Sequence, residues 1–518
     1  MIRGLRRRLA AVSREEWAER ALQSALRHVP IVARPIVPVW PHPIESTDLG
    51  PLAVLGHAVK DRTAWWTDPR SGKPHPRFWR LAEHDPKPLW TLHTLRHLVS
   101  APVEIAAHEA AAWLRENPVG RGPGWEESPT VATRVASLIW LGQRVDVPGL
   151  PEALGEHRSW LRRFPSTGSS EGNHAVAEAA ALVLLGDRSE SLGRLLDKLI
   201  LPDGGGAEAS IRYLAITVEW ALFAHAVRPL ADLAPVSRAA TFLSHLLPNA
   251  PKIGDDDSGS VLLDEADYVL SVAGAAAIVT GQLPPHGWRM DRRARMLGLA
   301  DPGNRAEANS GHFPFVGLTV LRSTRCRVVF DHGPLGLAPI RAHGHADALA
   351  IWLSLDGLRL FDSLGSSTYR GPLRDLQRGA WGQSTARIQG REPLRPDGPF
   401  GWAGDLVVHD VLSESTTAAA SIGTWRRSVT LDHFGAEIVD TGAEPLEIAF
   451  WLGAGLECDR VGTVRNANGR VAQVTTDAPL RVERHSGVAA VSYGIERDAV
   501  RLVVQAPAGR HRTRIVPA

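Results

Sequence analysis

The chain has 518 residues, of which 44% are hydrophobic, with 17 tryptophans and a formal net charge of +2. This length exceeds one compact core and predicts two or three domains, while the composition excludes a disordered chain. The small net charge provides no overall field of the kind that marks a nucleic-acid-binding protein. Two cysteines, Cys326 and Cys458, lie far apart in the sequence and indicate neither a disulfide framework nor a thiolate metal site.

The first 51 residues predict a helix followed by an extended connector. Residues 5–29 have the pattern of a basic amphipathic helix, and six prolines between residues 30 and 51 favour extended structure. The start of the chain has no apolar signal-peptide core, and no later apolar run reaches the length of a membrane span. We therefore expect a cytoplasmic protein without a membrane span, and a homodimer stays open.

Residues 52–304 predict a helical domain. Apolar residues recur at the 3.6-residue helical period in segments such as 132–142, 173–186 and 211–227, and Gly- and Pro-rich breaks separate these segments. Many helices of this kind with short connections predict an α/α toroid of stacked helical hairpins.

Residues 305–518 predict an antiparallel β-sandwich. Short runs rich in Val, Ile, Thr and Leu follow one another, separated by Gly, Asp and Asn. The predicted fold class is therefore α+β and multidomain: an N-terminal α/α toroid joined near residue 305 to a C-terminal antiparallel β-sandwich.

The most informative stretch of the chain begins with His343, His345 and Asp347. Two apolar runs follow, and Asp356-Gly357 between them predicts a tight hairpin, because both residues tolerate positive φ. If the segment is an extended strand, the two imidazoles and the carboxylate project from one face at two-residue spacing. A solvated strand start, in which the histidines only form hydrogen bonds, is the alternative.

The helical domain contains two polar motifs at predicted helix starts. Asn173 and His174 open one helix, where Asn173 could simply be its N-cap. A Gly-rich loop at residues 203–206 leads to Tyr213 in the first turn of another helix, and it lacks the Gly-Lys-Ser/Thr ending of a phosphate loop. The acidic run at residues 255–259 lacks the alternate spacing of an EF-hand and predicts a turn.

Together these motifs, in this order, resemble the heparinase II/III-type polysaccharide lyases over roughly residues 80 to 460. The matching residues are Gly172-Asn173-His174 with Glu178, Leu201 to Gly205 with Glu208, Ser210 and Tyr213, His343 to Leu349, Asp362 with Gly365 and Tyr369, and Arg374 with Arg378. The upstream Trp113, Asn117-Pro118, Gly124-Trp125 and Arg134 are also similar to the helical toroid of that family.

The resemblance implies an active site in the cleft between toroid and sandwich, where the family cleaves acidic polysaccharides by β-elimination. It implies that four residues are catalytic: Asn173, His174, Tyr213 and His343. It further implies that an acidic glycan or glycoside contacts Glu208, Tyr369, Arg374 and Arg378.

The resemblance also implies a zinc ion held by His345 and Asp362. The third ligand of the family is a His, but this chain has Gln383, an amide that suits zinc less well. With a two-residue turn at Asp356-Gly357, Asp362 is expected opposite Ile351, far along the strand from His345, so zinc binding requires a bulge or another pairing. Possible zinc is the only cofactor that the sequence indicates.

The function expected from this resemblance is an eliminative lyase that acts on a poly- or oligosaccharide containing uronic acid. Two alternatives stay open: a uronyl C5-epimerase, which shares the proton abstraction, and a non-catalytic glycan-binding or biosynthetic accessory protein. The sequence does not specify the sugar, its linkage or its sulfation.

Overall fold

The computed structural model describes residues 87–168, 171–263 and 265–518, together with Leu26, Ile31 and residues 33–37. The predicted helix at residues 5–29 and its connector lie almost wholly outside these residues, as does the start of the predicted toroid. The short described piece contacts the helical domain, because the amide of Ile36 donates to the carbonyl of Pro151 over 2.8 Å.

The described helices occupy the chain up to residue 296, with one more inside the β region. Their bounds are α1 Lys87–His93, α2 Val103–Glu116, α3 Ser128–Gly142, α4 Leu150–Arg163, α5 Asn173–Leu184, α6 Glu190–Leu199, α7 Ile211–Val227, α8 Ala234–Leu246, α9 Tyr268–Val279, α10 Arg292–Met296 and α11 Gly371–Arg378. Short 3₁₀ turns cover Arg96–Ser100, Pro123–Trp125 and Ala380–Gly382. None of the described helices is both long enough and apolar enough to cross a membrane.

Two layers of helices follow from the distribution of apolar residues. Helices α3, α5, α7 and α9 pack successively against one another and are buried on nearly all sides, so they form the inner layer. By contrast, α6 buries only Leu192, Leu196 and Leu199, a single stripe at i, i+4 and i+7. It packs outside α5, as expected for a solvent-facing helix. This two-layer arrangement is the predicted α/α toroid.

The β region begins at Gly311. Its strands are β1 Gly311–Phe313, β2 Leu318–Arg322, β3 Cys326–Asp331, β4 Ile351–Leu355, β5 Leu358–Asp362, β6 Ala386–Ile388, β7 Arg395–Asp397, β8 Gly401–Ala403, β9 Val408–Ser413, β10 Thr417–Ile422, β11 Trp425–Asp432, β12 Gly435–Gly442, β13 Leu446–Leu452, β14 Glu457–Cys458, β15 Thr463–Asn466, β16 Gly469–Thr476, β17 Leu480–Ser492, β18 Ile495–Ala506 and β19 Gly509–Pro517. Every pairing between them is antiparallel.

Two large sheets form the sandwich. One has the order β1-β2-β3-β4-β5-β13-β18-β17, with β6 also paired to β13, and the other has the order β14-β15-β16-β19-β12-β11-β10-β9. Alternate residues of β11 are buried, from Trp425 to Leu431, as expected for a strand with one face on a core and one toward solvent. The predicted helical domain followed by an antiparallel β-sandwich is confirmed.

Strands β2 to β4 of the first sheet form a middle layer of the molecule, because they are covered on both faces. In β2 to β4, Val320, Val329 and Trp352 belong to the core of the toroid, whereas Leu321 and Leu353 belong to the core of the sandwich. This explains why the strands are continuous apolar runs instead of alternating ones. The two domains therefore share one sheet as their common wall.

Polar contacts reinforce the junction between the domains. The Asp203 carboxylate, in the Gly-rich loop, accepts hydrogen bonds from the amides of Phe315 and Val316 over 2.7 and 2.9 Å. In the opposite direction, Arg327 of β3 donates to three carbonyls of the toroid at residues 246–249, each over 2.6 Å. These contacts fix the relative position of the two walls of the cleft.

Candidate active site

A cleft of about 780 Å³ lies between the toroid and the sandwich. Its toroid wall comes from the starts of α1, α5 and α7 and from the loop at residues 257–260, and its sandwich wall comes from residues 337–343 with Tyr369 and Phe400. Tryptophans add apolar surface, while the polar side chains at its centre are Lys87, Asn173, His174, Glu208, Tyr213, Asp257, His343 and Tyr369. Most of the residues expected to be functional from the sequence therefore meet here.

Tyr213 and His343 face each other in this cleft. Their rings stack with centroids 3.9 Å apart and planes inclined by 25°. Tyr213 stands in the first turn of α7, where Ser210 caps the helix by accepting the Tyr213 amide over 3.1 Å. The prediction that the proton-transfer candidates of the two domains meet across the cleft is confirmed as geometry, whereas their catalytic roles stay a prediction.

The Tyr213 hydroxyl has two partners at 3.1 and 2.6 Å, the Asp257 carboxylate and the Tyr369 hydroxyl. Lys87 forms an ion pair with the same Asp257 oxygen. Burial alone would raise the pKa of Asp257, but the Lys87 charge and hydrogen bond lower it to about 2. Burial, followed by the charges of Asp257 and Asp255, holds the pKa of Tyr213 well above its usual value. Tyr213 is therefore a protonated phenol that donates to Asp257, and it accepts from Tyr369.

Asn173 connects His343 to Glu208. The Asn173 amide nitrogen lies 2.9 Å from Glu208 Oε1 and 3.2 Å from His343 Nε2, so its two hydrogens point to these two acceptors. A side chain at Gly172 would overlap the Glu208 carboxylate, which explains the glycine there. Gly172, and not Asn173, is the N-cap residue of α5. The N-cap alternative for Asn173 is therefore wrong, because its side chain points into the cleft.

His174 lines the same wall but is not a cation at neutral pH. Burial lowers its pKa to about 4, and the nearby charges of His343 and Lys87 act in the same direction. Asp257 opposes this shift without reversing it. At pH 7 His174 therefore offers a neutral imidazole, which donates and accepts hydrogen bonds but adds no positive charge.

The residue at the centre of the site is Asp255, which sequence reasoning assigned only to a turn. It is fully buried, and both terminal nitrogens of Arg374 donate to it. His343 Nδ1 lies 3.1 Å from Oδ2, and His345 Nε2 lies 3.0 Å from Oδ1. Burial alone would raise the pKa of Asp255, but the Arg374 charge and the imidazole hydrogen bonds hold it well below its usual range. Asp255 is therefore a carboxylate that only accepts hydrogen bonds.

His343 responds to the same surroundings. Burial lowers its pKa, but the hydrogen bond to Asp255 and the charges of Glu208, Asp255 and Asp257 outweigh burial and raise it above the usual value. Because the Nδ1–H group of His343 donates its hydrogen bond to Asp255, Nε2 is the ring nitrogen that faces Asn173 and the cleft. The geometry thus presents a basic nitrogen at the cleft surface.

The segment that carries the histidines is not an extended strand, so the predicted strand is wrong there. It is a loop that precedes β4, with positive φ at Arg341 and Leu349. The predicted common face is also lost. Asp347 turns away from the histidines toward the Asp331 carboxyl, and burial raises the pKa of both acids. The two histidines nevertheless converge, because both bond to Asp255.

The two predicted substrate arginines lie behind the cleft wall. Arg374 and Arg378 share one face of α11, as their spacing predicted, but both are buried and neither lines the cleft. Arg378 donates to the Gly398 carbonyl over 2.6 Å and lies 4.4 Å above the Trp402 ring. We therefore revise their expected substrate contacts: Arg374 supports Asp255, and Arg378 stabilises the sandwich loops. The other two predicted substrate-contacting residues, Glu208 and Tyr369, do line the cleft.

The residues expected to hold zinc do not fit a metal ion. A bulge shifts the β4–β5 register, pairing Phe361 with Leu353, so Asp362 moves one residue from its expected position opposite Ile351. Its carboxylate pairs instead with Arg359 over 3.3 Å.

His345 is also engaged, and no alternative ligand set replaces the predicted one. Its Nε2 faces Asp255, and its Nδ1 lies 3.4 Å from the amide nitrogen of Gln383, which donates to the Gln377 carbonyl. Across the described part of the chain, no group of three or more His, Cys, Asp or Glu side chains is placed to hold a metal ion. We derive no step through a metal, and the zinc prediction stays untested.

Sequence reasoning missed Asp255, Asp257 and Lys87. One local signal pointed to the two aspartates. Their alternate carboxylates follow Gly254, whose φ of 65° brings the backbone against the carbonyls of Ala209 and His343. Lys87 carries no motif at all. Its role follows from the ion pair with a residue 170 positions away.

Comparisons with known proteins agree with this architecture. The family model described as "Heparinase II/III-like, C-terminal" matches residues 305–506. A solved heparinase III has 16% identity and a TM-score of 0.62, covering 97% of this chain and 89% of that chain. No curated protein matches the sequence.

Two further solved structures share the fold. The heparan sulfate lyase of Pedobacter heparinus has 16% identity and a TM-score of 0.51, with 99% of this chain and 91% of that chain covered. The chondroitin AC lyase of Streptomyces coelicolor A3, solved with chondroitin sulphate, has 13% identity and a TM-score of 0.54, with 96% and 82% covered. At these identities the likeness shows a common fold.

Proposed function

Because this chain is of the heparinase II/III type in its fold and in its matched C-terminal domain, we propose that it is a lyase that cleaves a uronic-acid-containing poly- or oligosaccharide by β-elimination. The observation that carries the proposal is the pairing of Tyr213 with His343. Their rings stack at 3.9 Å, and both side chains line one interdomain cleft. An acid and a base held this close can act on neighbouring atoms of one sugar.

His343 is the proposed base. Elimination begins when the proton on carbon 5 of the uronate is removed, and this requires an unprotonated nitrogen directed at the substrate. Asp255 accepts a hydrogen bond from the protonated Nδ1, which leaves Nε2 as the unprotonated nitrogen at the cleft. The Asn173 amide nitrogen covers Nε2 at 3.2 Å, with Glu208 Oε1 farther away at 3.9 Å, and a substrate that hydrogen-bonds to the Asn173 amide would uncover the lone pair.

Tyr213 is the proposed acid. The elimination is completed when the glycosidic oxygen leaves with a proton, and the protonated Tyr213 phenol can supply it. The Tyr369 hydroxyl lies 2.6 Å from the Tyr213 oxygen and can donate to the phenolate that results. The carboxylates around Tyr213 keep the phenol protonated until a substrate oxygen replaces Asp257 as its acceptor.

The uronate carboxylate is assigned to the wall formed by Asn173 and His174. Negative charge grows on this carboxylate as the carbon 5 proton leaves, so donors already in place stabilise the transition state. Asn173 donates from its amide, and His174 donates as a neutral imidazole. Lys87, in its ion pair with Asp257, lines the same cleft. Aromatic side chains such as Trp125 and Phe400 provide apolar surface for sugar rings.

Ultraviolet absorbance tests the proposal, because β-elimination creates a 4,5-unsaturated uronate with a strong enone band. Heparan sulfate and chondroitin sulfate come first in the substrate panel, since lyases of these glycans share the fold. Unsulfated polyuronides and small uronides complete it. An absorbance rise with at least one uronide is expected. Hydrogen–deuterium exchange at carbon 5 without that rise would instead identify an epimerase. The absence of both signals across the whole panel would refute the lyase proposal.

A further inference from the structure

Asp255 joins three parts of the molecule that are far apart in sequence. It lies 88 residues from His343, 90 from His345 and 119 from Arg374, and it contacts all three side chains. Its backbone is held as well, because its amide donates to the His343 carbonyl over 2.9 Å and its carbonyl accepts from the hydroxyl of Ser210. A fully buried carboxylate with this many partners has a fixed position.

This arrangement determines which nitrogen of His343 carries the proton. A carboxylate that faces a guanidinium can only accept, so His343 Nδ1 must donate to it. On the other side of the ring, the Asn173 amide nitrogen is a donor, so Nε2 must accept. Two independent neighbours therefore require the same tautomer, in which Nε2 is unprotonated and accepts from Asn173.

The Asp255 carboxylate also forms a hydrogen bond with His345, the residue at which the family resemblance implies zinc. His345 Nε2 faces Asp255, while Arg374 places two guanidinium nitrogens on that carboxylate. A cation of the protein itself thus already balances the acid. Gln383, in place of an imidazole, lies at the other nitrogen of His345.

We propose that Asp255 and Arg374 form a metal-independent positioning centre that fixes the orientation and tautomer of His343 and holds His345 without zinc. Asp255 is a positioning residue, since it acts through His343 and does not line the cleft. The inference rests on the proposed lyase function, because it assigns His343 the role of base. Its spectroscopic and metal readouts nevertheless need no turnover.

The substitution Asp255→Asn tests the centre, with Asp440→Asn as the matched control. Asp440 is a buried aspartate that pairs with Arg427 through two nitrogens, at 2.8 and 3.1 Å, in the sandwich and away from the cleft. We expect Asp255→Asn to lower kcat on the order of 10²–10⁴-fold with KM nearly unchanged, because an unpositioned base loses transition-state interactions. Asp440→Asn should keep kcat per folded molecule. Equal losses in the two variants would overturn the proposal.

Nitrogen NMR of the imidazoles reads the tautomer directly, and His343→Gln identifies the signal. In the unsubstituted protein we expect a protonated Nδ1 and an unprotonated Nε2 on His343, with this pattern lost in Asp255→Asn. A protonated Nε2 in the unsubstituted neutral ring would contradict the inference. Arg374→Lys should retain more of kcat than Arg374→Met, since the centre needs the positive charge; equal losses would count against it.

Metal analysis supplies the last arm. The protein is incubated with zinc, dialysed and analysed for bound metal, alone and as His345→Ala. We expect no stoichiometric zinc and no loss of activity with chelator. One equivalent of zinc that disappears in His345→Ala would overturn metal independence. If no uronide is cleaved at all, the lyase proposal fails. The NMR and zinc results still test whether the Asp255 centre sets the tautomer of His343 and holds His345 without zinc.

Discussion

Replacing Tyr213 by Phe removes one oxygen atom, and its consequences can be worked out from the two hydrogen bonds of that atom. The bond to the Asp257 carboxylate is 3.1 Å long and the bond to Tyr369 is 2.6 Å. A bond to a charged group contributes about 1.5–3 kcal/mol to the free energy of unfolding, and a neutral one about 0.5–1.5 kcal/mol. Tyr213→Phe should therefore destabilise the fold by about 2–4 kcal/mol.

Its effect on the reaction should be separate from this destabilisation. Loss of a general acid slows the chemical step on the order of 10²–10⁴-fold, which corresponds to about 3–5 kcal/mol in the activation barrier. Tyr369→Phe is the matched control, because it removes the same 2.6 Å bond but leaves the Tyr213 proton and its bond to Asp257. We expect that control to lose about 0.5–1.5 kcal/mol of stability and less of kcat than Tyr213→Phe loses, since the Tyr213 proton remains.

The assay is the initial rate of enone formation, at a temperature where denaturation curves show each variant to be folded. A value of kcat for Tyr213→Phe within about threefold of the unsubstituted protein would refute the assignment of Tyr213 as the acid, since the expected loss is far larger. A kcat for Tyr369→Phe as low as that for Tyr213→Phe would show that the hydrogen-bonded pair matters and not the proton of Tyr213.

The other predictions concern pH and the domain junction. Because the pKa of His343 is raised, its base form appears only as pH rises through a value above the usual one, so kcat/KM should increase with pH there and fall on acidification; a flat profile between pH 5 and 8 would contradict this. Gly254→Ala should lower both stability and kcat, because a Cβ would overlap the carbonyls of Ala209 and His343 in a backbone of positive φ; unchanged melting and rates would show that the loop tolerates the change. Arg327→Ala should lower the free energy of unfolding by about 4–9 kcal/mol in denaturant titrations, since it removes three charged hydrogen bonds to residues 246–249, and kcat of the folded fraction should persist.

The architecture could be predicted because it depends on patterns within single elements. One apolar stripe on α6 and alternate burial along β11 follow from periodicity alone. The hairpin at Asp356-Gly357 was also correctly predicted, and both turn residues have positive φ. The bulge in that hairpin was not predicted, because no residue of the two strands signals it.

The loop that carries the histidines shows where local reasoning fails. Alternation from His343 to Asp347 suggested a strand, but the backbone groups of the segment bond to distant parts of the chain instead of a neighbouring strand. The His343 carbonyl accepts from the Asp255 amide, and the Ala346 amide donates to the Arg378 carbonyl. Tertiary contacts decided this conformation, and they cannot be derived from one stretch of sequence.

The separation of Asp255 from Arg374 affects synthesis of the chain. Arg374 leaves the ribosome 119 residues after Asp255, a delay of roughly 6–24 seconds at usual elongation rates of about 5–20 residues per second. During that delay the nascent toroid has no guanidinium for this carboxylate, and burying it unpaired would be costly. The acidic loop should therefore stay hydrated until α11 has been made. The pair of Tyr213 and His343 should stay unassembled until then. Stalled chains ending before residue 371 should be cut by protease near residues 255–259, whereas full-length chains should resist, and equal resistance would disprove this order of events.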